Sequence, residues 1–135
     1  MIVHWYVGFH RPWLRNPEGW FDPRGIFGHC EAWGYTDEGT WLFLDPQGSG
    51  TKVRVTHLFD EVEAQLTARF ALCDMIVKLP AADPVFRLPV HGPMTCASVC
   101  GALIGVRAYF PATLRRRLLR KGAEVIHEAE GRSGR

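Results

Sequence analysis

The sequence contains no long hydrophobic segment. Its main apolar run, CASVCGALIGV at 96–106, is about half of what a bilayer-spanning helix needs. The first residues, MIVHWYVGFHRPW, have neither a basic start nor an unbroken apolar stretch, so they predict no secretion signal. We therefore expect synthesis in the cytoplasm, reduced thiols at all 4 cysteines and no insertion into a membrane.

Other signatures are also missing. The 16 basic and 14 acidic residues nearly cancel, to a formal charge of +2, which gives no global charge for binding nucleic acid. No glycine-rich phosphate loop, no G-x-S-x-G elbow and no C-x-x-C pair is present. We therefore expect no cofactor, no metal and no nucleic-acid specificity.

The 135 residues are enough for one domain. We expect it over residues 1–128, followed by a polar tail at 129–135. Hydrophobic period, turn residues and caps predict strands at 1–9, 29–35, 40–45, 51–55, 72–79 and 123–128, and helices at 59–70, 96–104 and 111–121. Asp60 and Glu63 are placed as a capping box for the first helix, and Thr95 can cap the second. This order predicts an α+β fold, a mainly antiparallel sheet with packed helices.

Cys96 is the residue with the most chemical potential. It lies at the start of its helix, where unpaired N–H groups and the helix dipole lower a thiol's pKa. A thiolate there could act as a nucleophile, with backbone N–H groups around it to hold an oxyanion. Alternatively, Cys96, Val99, Cys100 and Leu103 form one apolar stripe that faces the core. The stretch alone favours the stripe.

A nucleophilic thiol needs a base, and His29 is the best placed of the 6 histidines. If Tyr35 pairs with Trp41 in the predicted hairpin, His29, Glu31 and Asp45 share one face of the sheet. Asp45 could then orient the imidazole as the third member of a triad, with Glu31 as the other candidate. A register shifted by one residue would place Asp45 on the opposite face.

Three further residues are candidates for binding a substrate: His10, Trp33 and His91. His10 ends the first strand and could line the same cleft, and His91 lies shortly before Cys96. Between His10 and Gly28 the chain is rich in proline, glycine and tryptophan, and loops of this length usually have a function.

Two other patterns have competing interpretations. Cys96 and Cys100 could bind zinc together with His29 and Cys30, although the spacing is not that of a known zinc motif. The basic residues of the 111–121 helix are interpreted as a solvated face with charges that suit a helix C-terminus. A docking surface for an acidic protein is the alternative for that helix.

A resemblance adds to these inferences. A histidine at the head of a hairpin strand, GHCEAWGYTDEGTWLFLD, followed by a cysteine at a helix start, TCASVCGALIG, resembles the circularly permuted papain-like superfamily. That group includes NlpC-type peptidases and lecithin–retinol acyltransferase-like enzymes. The segments LIGVRA and FPATLRRRLLRKG are similar to small proteins of tailed phages and prophages. The resemblance covers about Trp5 to Gly122.

The resemblance implies a permuted papain-like fold with Cys96 as nucleophile, His29 as base and a polar third residue, for which Asp45 is our candidate. It implies a cysteine hydrolase that acts on an amide or ester, such as a peptide or peptidoglycan. It also implies protein partners in a phage particle, with a virion as the destination. The chain departs from these enzymes at Cys30, where they usually carry an apolar residue. The alternative is therefore an inactive structural or assembly component of a phage tail or virion, built on the same fold.

Overall fold

The computed structural model describes residues 1–10, 28–47, 50–82 and 95–129. Within these ranges the chain forms six strands and three helices. The strands are β1 (Ile2–His10), β2 (His29–Thr36), β3 (Trp41–Gln47), β4 (Gly50–Thr56), β5 (Met75–Pro80) and β6 (Glu124–Glu128). The helices are α1 (Phe59–Leu72), α2 (Cys96–Ile104) and α3 (Pro111–Arg120).

The six strands form one sheet in the order β4-β3-β2-β1-β5-β6, and every neighbouring pair is antiparallel. The α+β class with a mainly antiparallel sheet is therefore confirmed. Of the two hairpin registers left open by the sequence, the β2–β3 hairpin has the one with Tyr35 opposite Trp41. Gly39 takes a positive φ of 87° in the turn, a conformation that glycine adopts without steric cost.

Helices α2 and α3 cover one face of the sheet. The side chains that point to this face alternate along each strand, as a half-buried pleated strand requires. They include Trp5, Val7 and Phe9 of β1 and Cys30 and Ala32 of β2, all at most 1% exposed. From the helices, Val99, Cys100, Leu103, Leu114 and Leu118 complete this core.

The opposite face is aromatic, and α1 covers it lightly. Trp33, Phe43, Cys73 and Ile76 form a second, smaller core, against which Leu66 of α1 packs. No residue of α1 is buried. The sheet is thus thickly covered on one face and thinly on the other.

The predicted capping box of α1 is wrong. The N-cap is Leu58, and its side chain makes no capping bond. Thr56, at the end of β4, bonds to the start of the helix instead: its hydroxyl accepts a bond from the Leu58 N–H and donates one to Glu61. Thr56, two positions before the N-cap, thus bonds the N–H of Leu58. Asp60 lies within the first turn of the helix and not at its N-cap.

The caps of α2 and the exposure of α3 match the predictions. Thr95 caps α2, and Gly105 ends it in the left-handed region at φ 86°. In α3, Leu114 and Leu118 are buried while Arg116, Arg117 and Arg120 are exposed, the pattern of a solvated basic face. No helix in the described part of the chain is both long and apolar enough to span a membrane. Most of the predicted loop from His10 to Gly28, the connection at 83–94 and nearly all of the polar tail lie outside the described residues.

Candidate active site

Cys96 is the first residue of α2, as its sequence context predicts. Thr95 and Ser98 form a reciprocal capping box: the Thr95 hydroxyl accepts from the Ser98 N–H, and the Ser98 hydroxyl accepts from the Thr95 N–H. The helix therefore starts at a defined residue. The N–H groups of Cys96 and Ala97, in the first turn, have no acceptor within the helix and can face an anion.

His29 begins β2, and Asp45 lies near the end of β3. Nε2 of His29 is 2.6 Å from Oδ1 of Asp45, and Gln47 donates a second bond to the other oxygen of the same carboxylate at 3.0 Å. Because Asp45 occupies Nε2, Nδ1 is the ring nitrogen left for the thiol. The ring and the Cys96 side chain lie close enough for each to shift the pKa of the other. The structure thus brings the three predicted residues into one chain of contacts.

The electrostatics of this chain favour a charged pair. Burial lowers the pKa of His29, but the hydrogen bonds and charges of Asp45 and Cys96 outweigh it and raise the pKa to about 9. The pKa of Cys96 is held well below the usual value, first by a hydrogen bond from the Cys30 thiol and then by the His29 ring, although burial opposes the shift. Both shifts favour a thiolate next to an imidazolium.

Cys30 also belongs to this site, although the sequence suggested it only as a member of a zinc set and as a departure from the papain-like enzymes. As the neighbour of His29 on β2 it points to the α2 face, where its thiol contacts both Cys96 and Cys100. Burial and these two neighbours raise its own pKa well above the usual value, so Cys30 stays a neutral S–H donor. The signal in the sequence was the spacing of Cys96 and Cys100, four residues apart on one helix, together with a cysteine directly after His29.

The site lies at the end of the sheet, between its two faces. The last paired residues of the β2–β3 ladder are Ala32 and Leu44, so His29 and Asp45 lie beyond the paired part of this hairpin. Each still pairs on its other side, His29 with His10 and Asp45 with Lys52. The side chains of His29 and Asp45 are 16% and 14% exposed, and Cys96 is half-buried. The apolar-stripe alternative holds for Val99, Cys100 and Leu103, which are buried, while Cys96 alone keeps access to solvent.

The candidates for substrate binding have different positions. Trp33 is fully buried in the smaller core and offers no surface to a ligand, which corrects that prediction. His10 is also fully buried, because α1 ends over it and its Nδ1 donates to the Leu72 carbonyl. It does not line a cleft, but its ring lies 5.5 Å from the His29 ring. His91 lies outside the described residues.

Glu31 contacts a different histidine from the one proposed. Its Oε2 is 2.7 Å from Nε2 of His10, and its Oε1 is 3.0 Å from Nε of Arg69. The zinc set of His29, Cys30, Cys96 and Cys100 is not among the groups whose ligand atoms converge; in the described ranges, that convergence occurs for His10, Glu31 and Cys73.

The described residues form an antiparallel α+β domain. In its site, a thiol at a helix start, an imidazole and a carboxylate are neighbours in that order in space. Comparison of the chain with protein-family models, with curated proteins and with solved structures found no match.

Proposed function

We propose that this chain is a thiol-dependent hydrolase in which Cys96 is the nucleophile, His29 the acid and base, and Asp45 the residue that orients His29. The observation that carries the proposal is the contact chain from Asp45 through His29 to a half-buried thiol at the first residue of α2. Nucleophilic catalysis requires this set: an activated nucleophile, a base within hydrogen-bonding reach and a group that fixes the base.

The first half of the reaction is acyl transfer to Cys96. The thiolate attacks the carbonyl carbon of an amide or ester, and the negative charge moves to the carbonyl oxygen. The N–H groups at the start of α2 are positioned to stabilise that oxyanion. The tetrahedral intermediate collapses when the imidazolium of His29 gives its proton to the leaving amine or alcohol, which departs and leaves a thioester on Cys96.

The second half is hydrolysis of the thioester. Neutral His29 takes a proton from a water molecule, and the resulting hydroxide adds to the thioester carbonyl. Collapse of this intermediate expels the Cys96 thiolate and releases the carboxylic acid. Asp45 holds the ring orientation through both steps and stabilises its charged form, so the resting thiolate–imidazolium pair is restored.

We further propose a permuted papain-like enzyme whose substrate is a peptide or a cell-wall amide, and whose setting is a phage particle. The order of the site residues along the chain supports the permuted papain-like part of this proposal, and the phage setting rests on the resemblance of LIGVRA and FPATLRRRLLRKG to phage and prophage proteins. The histidine strand β2 precedes the cysteine helix α2, and β3, β4, α1 and β5 lie between them.

An activated ester tests the proposed chemistry without knowledge of the natural substrate. With p-nitrophenyl acetate, we expect a burst of about one equivalent of product per chain, followed by slow turnover. Mass spectrometry of digested protein should place the acetyl group on Cys96. An Asp45→Asn variant should keep the fold and lose most of the turnover. Acylation of another residue, or an unacylated Cys96, would refute the assignment.

The second candidate is an assembly component without catalysis. The observation that favours it is an exposed apolar patch at the edge strand β4 and the start of α1: Val53, Val55, Leu58 and Phe59 are 52–76% exposed. An open strand edge next to apolar side chains is a typical protein-contact surface. Val55→Lys should then abolish self-association or partner cross-linking, and neither the wild-type chain nor the variant should turn over the ester. If association is unaffected, this candidate loses its support.

A further inference from the structure

A second group of potential ligand atoms lies outside the proposed catalytic chain. Nε2 of His10, a carboxylate oxygen of Glu31 and Sγ of Cys73 all lie within 4.8 Å of one another. All three residues are buried, with exposures of 0%, 4% and 2%. Three different elements supply them: the end of β1, the start of β2 and the residue that follows α1.

The orientation of His10 directs Nε2 at the carboxylate of Glu31. Nδ1 lies 3.2 Å from the Leu72 carbonyl, and a carbonyl only accepts, so Nδ1 carries the hydrogen. In the neutral ring, Nε2 then presents a lone pair to the Glu31 carboxylate at 2.7 Å. Two acceptors at that distance need a positive species between them, either a proton or a metal ion. A ring N–H on a backbone carbonyl is also the usual support of a metal-bound histidine.

The position of the Cys73 sulfur fits a metal site, and a neighbouring glycine leaves room for it. It lies 3.5 Å from Nε2 of His10, which is about the nitrogen-to-sulfur separation across a tetrahedral zinc ion. Gly8 makes the space, since a Cβ at that position would lie 2.5 Å from the sulfur. The distance between Nε2 of His10 and Oε2 of Glu31 would have to increase by about 0.6 Å for both atoms to bind the same ion.

The surroundings suit a cation. The group lies at the C-terminal end of α1, where backbone carbonyls concentrate partial negative charge. Arg69 lies 3.0 Å from the other oxygen of Glu31 and fixes the carboxylate, but its charge opposes the cation. Binding displaces two protons, the one between His10 and Glu31 and that of the Cys73 thiol, and both go to solvent. The Cys73 thiolate then supplies a compensating negative charge.

We propose that His10, Glu31 and Cys73 form a binding site for one zinc-like divalent ion. Imidazole, carboxylate and thiolate together select a borderline ion such as Zn²⁺ or Co²⁺ over Mg²⁺ or Ca²⁺. Three protein ligands leave the fourth tetrahedral position for a water molecule. The ion would lock His10 against the ring of His29, so its place is beside the catalytic chain and not within it.

Cobalt(II) is a suitable probe because a bound thiolate gives a charge-transfer absorption band. Reduced, chelator-treated full-length protein is titrated with Co²⁺. We expect one equivalent to bind with that band, and a Cys73→Ala variant to lose the band and at least about tenfold in affinity. The Cys96→Ala and Cys100→Ala variants are matched thiol controls and should keep both. Binding below one equivalent, or an unchanged band in Cys73→Ala, would overturn the proposal.

A measurement on the unaltered protein covers the case in which Cys73→Ala does not fold. X-ray absorption of the zinc-loaded chain should show one sulfur and three nitrogen or oxygen neighbours. A shell without sulfur, or with two or more sulfurs, would assign the ion elsewhere and the His10–Glu31 contact to a proton.

Discussion

The molecule contains two groups made of the same three residue types, a histidine, a carboxylate and a cysteine. One is His29 with Asp45 and Cys96, and the other is His10 with Glu31 and Cys73. Their histidine rings are only 5.5 Å apart, and both histidines lie within 2.7 Å of their carboxylates. The residue types therefore do not distinguish them.

The helix end at each cysteine does distinguish them. Cys96 starts α2, where the dipole and free N–H groups stabilise a thiolate, whereas Cys73 follows α1, where carbonyls favour a cation. Exposure differs in the same sense, because Cys96 is half-buried and Cys73 is buried. An accessible thiolate suits a reaction with a substrate, and a buried thiol among carbonyls suits an ion.

Removing each thiol in turn is the most direct test of this difference. Cys96→Ala should abolish labelling by iodoacetamide at neutral pH. The same variant should also lower ester turnover by at least about 10³-fold. Cys73→Ala should leave labelling at Cys96. Equal labelling of both cysteines in the native wild-type chain, measured by peptide mass spectrometry, would remove the proposed distinction.

The two carboxylates should differ by a smaller factor. Asp45→Asn removes the charge that favours the His29 imidazolium, so we expect a loss of about 10²-fold or more in ester turnover. Glu31→Gln, the matched change on His10, should cost less than about tenfold, provided that circular dichroism shows a native fold. The reverse order of effects would exchange their roles and make Glu31 the partner of the reaction.

The pH dependence of alkylation tests the charged pair itself. Because His29 holds its proton up to a pKa of about 9 and lowers the pKa of Cys96, labelling should persist well below the pH at which ordinary thiols react. His29→Gln should move the inflection upward and slow labelling at pH about 6 by roughly 10–100-fold. Amide hydrolysis should fall above pH about 9, as the acid loses its proton. An inflection at the ordinary thiol value in the wild-type chain would exclude the pair.

The smallest effect concerns Cys30. Its thiol donates to Cys96, so Cys30→Ala should raise the pKa of Cys96 and slow labelling at low pH by about tenfold, the worth of one hydrogen bond to a charged group. Cys100→Ala is the control, because it removes a neighbouring buried thiol that is not the donor. Equal shifts in both variants would indicate a general packing effect, not a specific bond.

Local sequence signals predicted most of the secondary structure. The alternation in β1 and β2 and the Asp/Gly turn are properties of neighbouring residues, and so is the cap at Thr95. These signals left the hairpin register open, and the structure has the register that brings Asp45 to His29. The capping box of α1 was wrong because a threonine from the preceding strand replaced it.

The sequence by itself determined that a thiol would start a helix and that a histidine and an aspartate would lie on the two strands of one hairpin, since both depend on short-range geometry. Only the tertiary structure decided that Cys30 would donate to Cys96, that Glu31 would contact His10, and that Trp33 would be buried. These contacts join elements distant in the chain, and sheet order, helix placement and the coverage of each face set them together. The separation of two residues in the sequence therefore does not predict whether they are in contact.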